Sequence, residues 1–138
     1  MSFLGIDLGT GGVRCLLVEH DGTIRSESSQ ELGTRNLARE AGRSEQDPRE
    51  WVLALEGALD HLFFDPANRD VRAVAVDSTS GTVLPVSRDG NPLGMALLYD
   101  DMRATEEADR CGEVFGGKCS PTFSLPKIRW MQSHLDLP

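Results

Sequence analysis

Residues Phe3–Leu8 form a short apolar run ending at Gly9-Thr10-Gly11-Gly12, and a second run, Val13–Glu19, is rich in Val, Leu and Cys. Two such runs joined by a glycine-rich turn predict a β-hairpin. His20-Asp21-Gly22-Thr23 is another turn signal, and Ile24–Leu32 beyond it is polar and weakly alternating, as an edge strand is. Gly33 to Gln46 shows no apolar period and reads as a surface loop. In Asp47-Pro48-Arg49-Glu50 the aspartate suits a helix N-cap, the proline suits N1 and Glu50 completes a capping box. Val52, Leu55, Leu59 and Leu62 then recur at helical spacing, widened by Trp51, Ala58 and Phe63, so one helix face should cover a sheet. Val71–Val76 predicts a buried strand, Thr82–Val86 another, Arg88-Asp89-Gly90-Asn91 a hairpin turn before Pro92, and Leu97–Tyr99 one more short strand. Two helices close the chain, at about Met102–Val114 and about Pro126–Leu135, the second carrying Ile128, Trp130 and Met131.

Apart from the short Leu97–Tyr99 strand, the order β-β-β-α-β-β-α-α implies a mixed sheet begun by a hairpin with flanking helices, in place of strict β-α alternation. The fold class expected is α/β, of ribonuclease H-like type. A length of 138 residues suits one domain with one core. With 39% hydrophobic and 26% charged residues, the chain has neither a disordered nor a membrane composition. A net charge of -8 opposes a phosphate backbone, so nucleic acid is not an expected partner. Cys15, Cys111 and Cys119 lack C-x-x-C pairing and read as reduced, packed thiols. The opening MSFLGIDLGTGG has no basic n-region, and no stretch approaches the ~18 apolar residues of a membrane span. A cytoplasmic protein without membrane attachment is the expectation.

Three segments carry chemistry. Gly5-Ile6-Asp7-Leu8-Gly9-Thr10-Gly11-Gly12-Val13-Arg14 sets a carboxylate at the end of a strand expected to be buried, ahead of three glycines and a hydroxyl. Glycines permit positive φ and close backbone approach, by which successive N–H groups cradle a phosphate. Asp7 suits a hydrated Mg²⁺ beside it, because burying an unpaired carboxylate is costly. A plain glycine-rich turn with a capping aspartate is the alternative. Asp77-Ser78-Thr79-Ser80-Gly81-Thr82 offers hydroxyls suited to a polyol, or a Ser/Thr turn bonding its own backbone. In Tyr99-Asp100-Asp101-Met102-Arg103 an aspartate can cap the next helix and Arg103 can pair with an acid, or the segment can meet substrate.

The set GIDLGTGGVR, SEQDPREW, VAVDSTSGTVLPV with DGNPL, ALLYDDMRA and LPKIRWMQSHL resembles, in order and spacing, the N-terminal portion of the FGGY family of carbohydrate kinases. DSTSGTVL followed by LLYDD is most similar to the ketopentose branch, D-ribulose kinases and xylulokinases, and less so to glycerol kinase. The resemblance implies a ribonuclease H-like domain of the actin and sugar-kinase superfamily, a second similar domain, and a cleft where ATP with Mg²⁺ meets the sugar. It implies ATP-phosphate contacts at Asp7, Gly9, Thr10, Gly11, Gly12 and Arg14, with Mg²⁺ held at Asp7 through water. Substrate contacts are implied at Thr79, Ser80, Gly81, Tyr99, Asp101 and Arg103. Asp47 and Pro48 read as structural, with Glu45 and Gln46 left open.

Family kinases are several times longer than this chain. The resemblance implies that the catalytic aspartate and the adenosine site lie beyond Pro138, that this chain alone is inactive, and that the full-length form can be a homodimer. Two other readings compete. A small ribonuclease H-like nuclease of Holliday-junction resolvase type would gather two metals at Asp7, Asp77 and Asp101. A non-catalytic ligand-binding domain is the other.

Overall fold

A computed structural model describes residues 1–32 and 42–136. The chain divides into two compact units, one formed by Met1–Arg35 with Arg49–Thr79 and the other by Asn36–Pro48 with Ser80–Pro138. In the first unit lie strands β1 (Ser2–Gly9), β2 (Gly12–Glu19) and β3 (Ile24–Glu31), and strand β5 (Val71–Ser78). Helix α1 (Pro48–Leu62) precedes a one-turn 3-10 helix at Pro66–Arg69. Sheet order is β3-β2-β1-β5, with β1 antiparallel to β2, β2 antiparallel to β3, and β5 parallel to β1. This is the mixed sheet that the opening hairpin predicts.

Alternation along β1 and β2 sends Leu4, Val13, Cys15 and Leu17 into one face, where Ala54, Ala58 and Leu62 of α1 meet them. Trp51, Leu55 and Leu59 pack partly buried against this core. Val52, expected on the buried stripe, is 53% exposed. At about 100° per residue the stripe centres on Trp51, Leu55, Ala58 and Leu62, and Val52 falls at its margin.

The expected buried strand at Val71–Val76 is a strand but not a buried one, since Val74 and Val76 are 56% and 67% exposed. It pairs on one side with β1 and forms the sheet edge. Residues 33–41 of the expected surface loop lie outside the described residues. The loop's end is structured: Glu45–Gln46 (β4) pairs antiparallel with Ala96–Leu97 (β6), and Ser44 and Gln46 are buried.

The remaining elements belong to the second unit. Thr82–Val86 is not a strand. It makes single bridges, Val83 to Leu97 and Val86 to Pro92, because Pro85 has no N–H with which to extend a ladder. The expected Leu97–Tyr99 strand is replaced by the two residues of β6, shifted toward the N-terminus. The turn at Arg88–Asn91 forms as expected, with Gly90 at φ 82° and its N–H donating to the Ser87 carbonyl at 2.9 Å. Helix α2 spans Thr105–Phe115 and α3 spans Ser124–His134. Neither Asp100 nor Asp101 caps α2, whose N-cap position is Ala104. Asp101 instead accepts from the Arg103 N–H, so the chain turns before the helix begins.

Leu17 is fully buried while Val52 is not. Leu17→Ala is therefore expected to cost about 2–5 kcal/mol of stability, and Val52→Ala within about 0.5 kcal/mol. Urea unfolding followed by circular dichroism measures both; equal losses would place the core on another helix face.

Burial pushes the Cys15 thiol above its ordinary pKa. The folded protein thus keeps a proton that the unfolded chain loses from about pH 8.5 upward, and the thiol's contribution is full below that pH and declines above it. Cys15→Ala should flatten the fall in melting temperature between about pH 8.5 and 10. An unchanged slope would assign the fall to other groups.

Candidate functional site

The alternation that buries Leu4 sends Asp7 to the opposite, open face of the sheet, where it is exposed. The expected buried carboxylate is therefore corrected: period-2 geometry turns it out of the apolar strand. Strand register sets Arg14 opposite Asp7 across the hairpin and Asp77 beside it on the parallel strand. Neighbouring strands run about 4.8 Å apart, so two carboxylates share the C-terminal ends of adjacent parallel strands with one guanidinium alongside. They border an open groove of about 340 Å³ whose floor includes Gly5 and Ala75. A second groove, of about 300 Å³, runs from Asp7 and Arg14 past Gly9, Gly11 and Gly12 to Glu31.

The hairpin closes with Gly9 paired to Gly12, leaving Thr10 and Gly11 as its loop. None of its glycines is among those with positive φ, so left-handed backbone is not their purpose. A Cβ on Gly12 would lie 2.5 Å from the Gln30 carbonyl oxygen, and close packing of β3 excludes any side chain there. A Cβ on Gly11 would meet nothing within 4 Å. The fold does not require glycine at that position, and its absent side chain leaves the loop open to an approaching ligand.

Asp77 is the penultimate residue of β5 and accepts from the Ser78 N–H at 2.9 Å. The chain passes from the first unit to the second between Thr79 and Ser80. Thr79, Ser80 and Thr82 make no side-chain hydrogen bond among the described residues, and the Thr82 hydroxyl is buried. A turn bonding its own backbone through these hydroxyls is not what forms. Gly81 has φ 79°, a left-handed value suited to glycine, and packs beside Tyr99.

Tyr99 is 47% exposed, whereas Asp101 is wholly buried. One Asp101 oxygen accepts from the Ser44 N–H at 2.8 Å, and the carboxylate also takes the Arg103 guanidinium, with Nη2 to Oδ2 at 2.9 Å. Arg103 reaches Glu45 Oε1 at 2.6 Å and lies 4.6 Å over the Trp130 ring, which stacks on His134. Burial works against the Arg103 charge, but Asp101 and Glu45 outweigh it and hold its pKa above the ordinary arginine value. Both expected substrate contacts, Asp101 and Arg103, are thus committed to an internal ionic frame.

Sequence reasoning left Glu45 open and missed Ser44, Trp130 and Lys127. Lys127 is completely buried, and its Nζ donates to the Gly81 carbonyl at 2.9 Å and the Leu98 carbonyl at 2.5 Å. The available signal was its place on the apolar face of α3, four residues before the buried Met131. No group of three or more potential metal ligands, such as a two-metal nuclease uses, occurs among the described residues. No helix among them is long and apolar enough to cross a membrane.

A mixed sheet begun by a glycine hairpin, with carboxylates at its strand ends, defines a domain of the sugar-kinase type. The chain belongs to the FGGY family of carbohydrate kinases: that family's N-terminal domain matches residues 2–136. It is 29% identical over 141 residues to a xylulose kinase of Bacillus subtilis, covering 95% of this chain and 28% of that protein. It is 30% identical over 148 residues to a glycerol kinase of Trichlorobacter lovleyi, covering 98% and 29%. The crystal structure of a xyloylose kinase from Brucella ovis superposes with a TM-score of 0.83 at 25% identity, over 97% of this chain and 30% of that one. The chain therefore spans less than a third of the length of these relatives.

The two hairpin glycines make separable predictions. Gly12→Ala should cost about 1–3 kcal/mol through its clash with Gln30, while Gly11→Ala should change stability by less than about 0.5 kcal/mol. Thermal melting of both variants checks this, and equal losses would refute the assigned packing role of Gly12.

Proposed function

We propose that this chain supplies the nucleotide-phosphate and sugar contacts of an ATP-dependent ketopentose kinase. In this reading D-xylulose or D-ribulose accepts the γ-phosphoryl group. The sugar hydroxyl gives its proton to a carboxylate base, its oxygen bonds to the γ-phosphorus, and the bond from that phosphorus to the bridging oxygen breaks to release ADP. The base, the adenosine contacts and a second domain belong, on this reading, to the part of the relatives that these 138 residues do not span.

The observation that carries the proposal is the bare Gly11 loop beside an outward-facing Asp7 and Arg14. The Gly9–Gly12 turn is suited to phosphate oxygens, which can approach its backbone at the bare Gly11, with Arg14 adding charge. Asp7 and Glu31 bring negative charge to the same groove, so a polyphosphate needs a cation to enter. Asp7 accepts no hydrogen bond among the described residues and has too few carboxylate neighbours for direct chelation. That donor set fits Mg²⁺, which keeps several waters and needs one or two carboxylates. Bound there, Mg²⁺ would neutralise phosphate charge.

On the sugar side, the second unit offers the Ser80 hydroxyl and the exposed Tyr99 phenol, with Gly81 packed beside Tyr99, and the first unit ends at the Thr79 hydroxyl. Asp101 and Arg103, bonded to each other and to Ser44 and Glu45, order the segment that follows Tyr99. The xylulose kinase relatives and the DSTSGTVL segment favour a ketopentose, with glycerol as the competing acceptor.

The test is ATP-dependent phosphorylation of D-xylulose, D-ribulose and glycerol by the polypeptide encoded by the complete reading frame. Asp7→Asn should lower kcat by about 10²-fold or more with little change in melting temperature. Thr79→Val should raise the ketopentose KM about tenfold, and Gly11→Ala the KM for ATP, each sparing the other substrate. Phosphorylation of glycerol in preference to both ketopentoses would overturn the substrate assignment, and normal turnover by Asp7→Asn would overturn the phosphate site.

A further inference from the structure

We propose that Lys127 is a positioning residue for the sugar contacts, its ammonium group clamping the Gly81 and Leu98 carbonyls so that Ser80 and Tyr99 keep a fixed separation. The substrate half of this inference rests on the function proposed above. Gly81 and Leu98 lie 46 and 29 residues from Lys127 in sequence, yet Nζ donates to both carbonyls, at 2.9 and 2.5 Å. Each clamped residue adjoins an exposed polar one: Ser80 precedes Gly81, and Tyr99 follows Leu98. The Lys127 side chain has no access to solvent, so it acts through backbone and not by touching substrate.

The neighbouring geometry explains why a lysine is used. Gly81 has left-handed backbone and belongs to no strand, so its carbonyl points where no ladder partner exists. Leu98 lies just beyond β6, and its carbonyl also accepts from the Asp101 N–H at 3.0 Å. An apolar side chain of the same length would fill the space but take from the half-buried Gly81 carbonyl the donor it has here. Lysine has several donors on one flexible stem and can bond two carbonyls from different segments. Burial pulls the Lys127 pKa below the ordinary lysine value, opposed by the charges of Asp101 and Asp100. α3 contributes Lys127 and, one turn later, Trp130, which supports Arg103. One helix face therefore secures the Ser80–Gly81 segment and the Tyr99–Arg103 segment together.

The experiment compares the unsubstituted polypeptide of the complete reading frame with Lys127→Met and Lys127→Gln, following fold by circular dichroism and KM for D-xylulose, D-ribulose and ATP. Lys127→Met keeps the volume and removes every donor; Lys127→Gln keeps a neutral donor. The expected result is a ketopentose KM raised about tenfold or more in Lys127→Met, an ATP KM within about twofold of the unsubstituted value, and partial recovery of the sugar KM in Lys127→Gln. Both KM values rising together, neither changing, or loss of fold in both variants would make Lys127 a residue of the core alone and overturn the proposal. If Lys127→Met alone fails to fold, the same split between sugar and ATP in Lys127→Gln decides. Absence of ketopentose phosphorylation by the unsubstituted protein would overturn the function proposed above, and with it the substrate half of this inference. Activity with an unchanged sugar KM in the folded variants would overturn the role of Lys127 alone.

Discussion

The first unit depends on one constraint, the two-residue period of β1. This strand pairs on both edges, antiparallel to β2 and parallel to β5, so its register fixes what both neighbours present. Leu4, Ile6 and Leu8 must face α1 to bury their side chains, and Asp7 is thereby forced onto the other face. A slip of one residue would drive a carboxylate into the core and expose three apolar side chains. The cost of that error ties the placement of Asp7 to folding itself. Arg14 and Asp77 take their places through the same register, Arg14 on a strand whose Val13, Cys15 and Leu17 face inward.

The second unit solves its problem by different means. Its strands are two residues long, and backbone ladders alone do not fix the loops that follow them. Order comes from buried charge: Asp101 takes Ser44 and Arg103, Arg103 takes Glu45, and Lys127 takes two carbonyls. Such a frame is expensive to break because removing one member leaves another charged and buried. It is also specific in direction, since each bond fixes an angle as well as a distance, which apolar packing does not do.

This difference explains what was legible in the sequence. The hairpin, α1 and the α/β class were readable because periodic apolar residues and turn glycines act locally. The helix stripe was misread only at Val52, where a residue at the margin shares the spacing of the core but not its burial. Val71–Val76 was apolar enough to read as buried, but composition does not reveal that a strand stands at an edge. The ionic frame was the least legible part. Glu45, the Asp101–Arg103 pair and Lys127 come from three separated segments, and no local pattern shows that a surface-type residue such as lysine is wholly enclosed. Motif resemblance marked Asp101 and Arg103 without showing that both stand in one buried ionic frame with Ser44 and Glu45.

The hairpin illustrates the same limit at finer scale. Gly11 and Gly12 are adjacent and identical in sequence, yet one is demanded by the Gln30 backbone and the other by nothing within the protein. A glycine required by packing explains itself through stability, whereas a glycine with open space before it has no folding role to account for it. Alanine there would restrict the unfolded chain without crowding the folded one, so stability alone gives no reason for a bare backbone at Gly11. What a bare backbone does offer is unobstructed N–H groups, beside a carboxylate and a guanidinium that strand register has already turned outward.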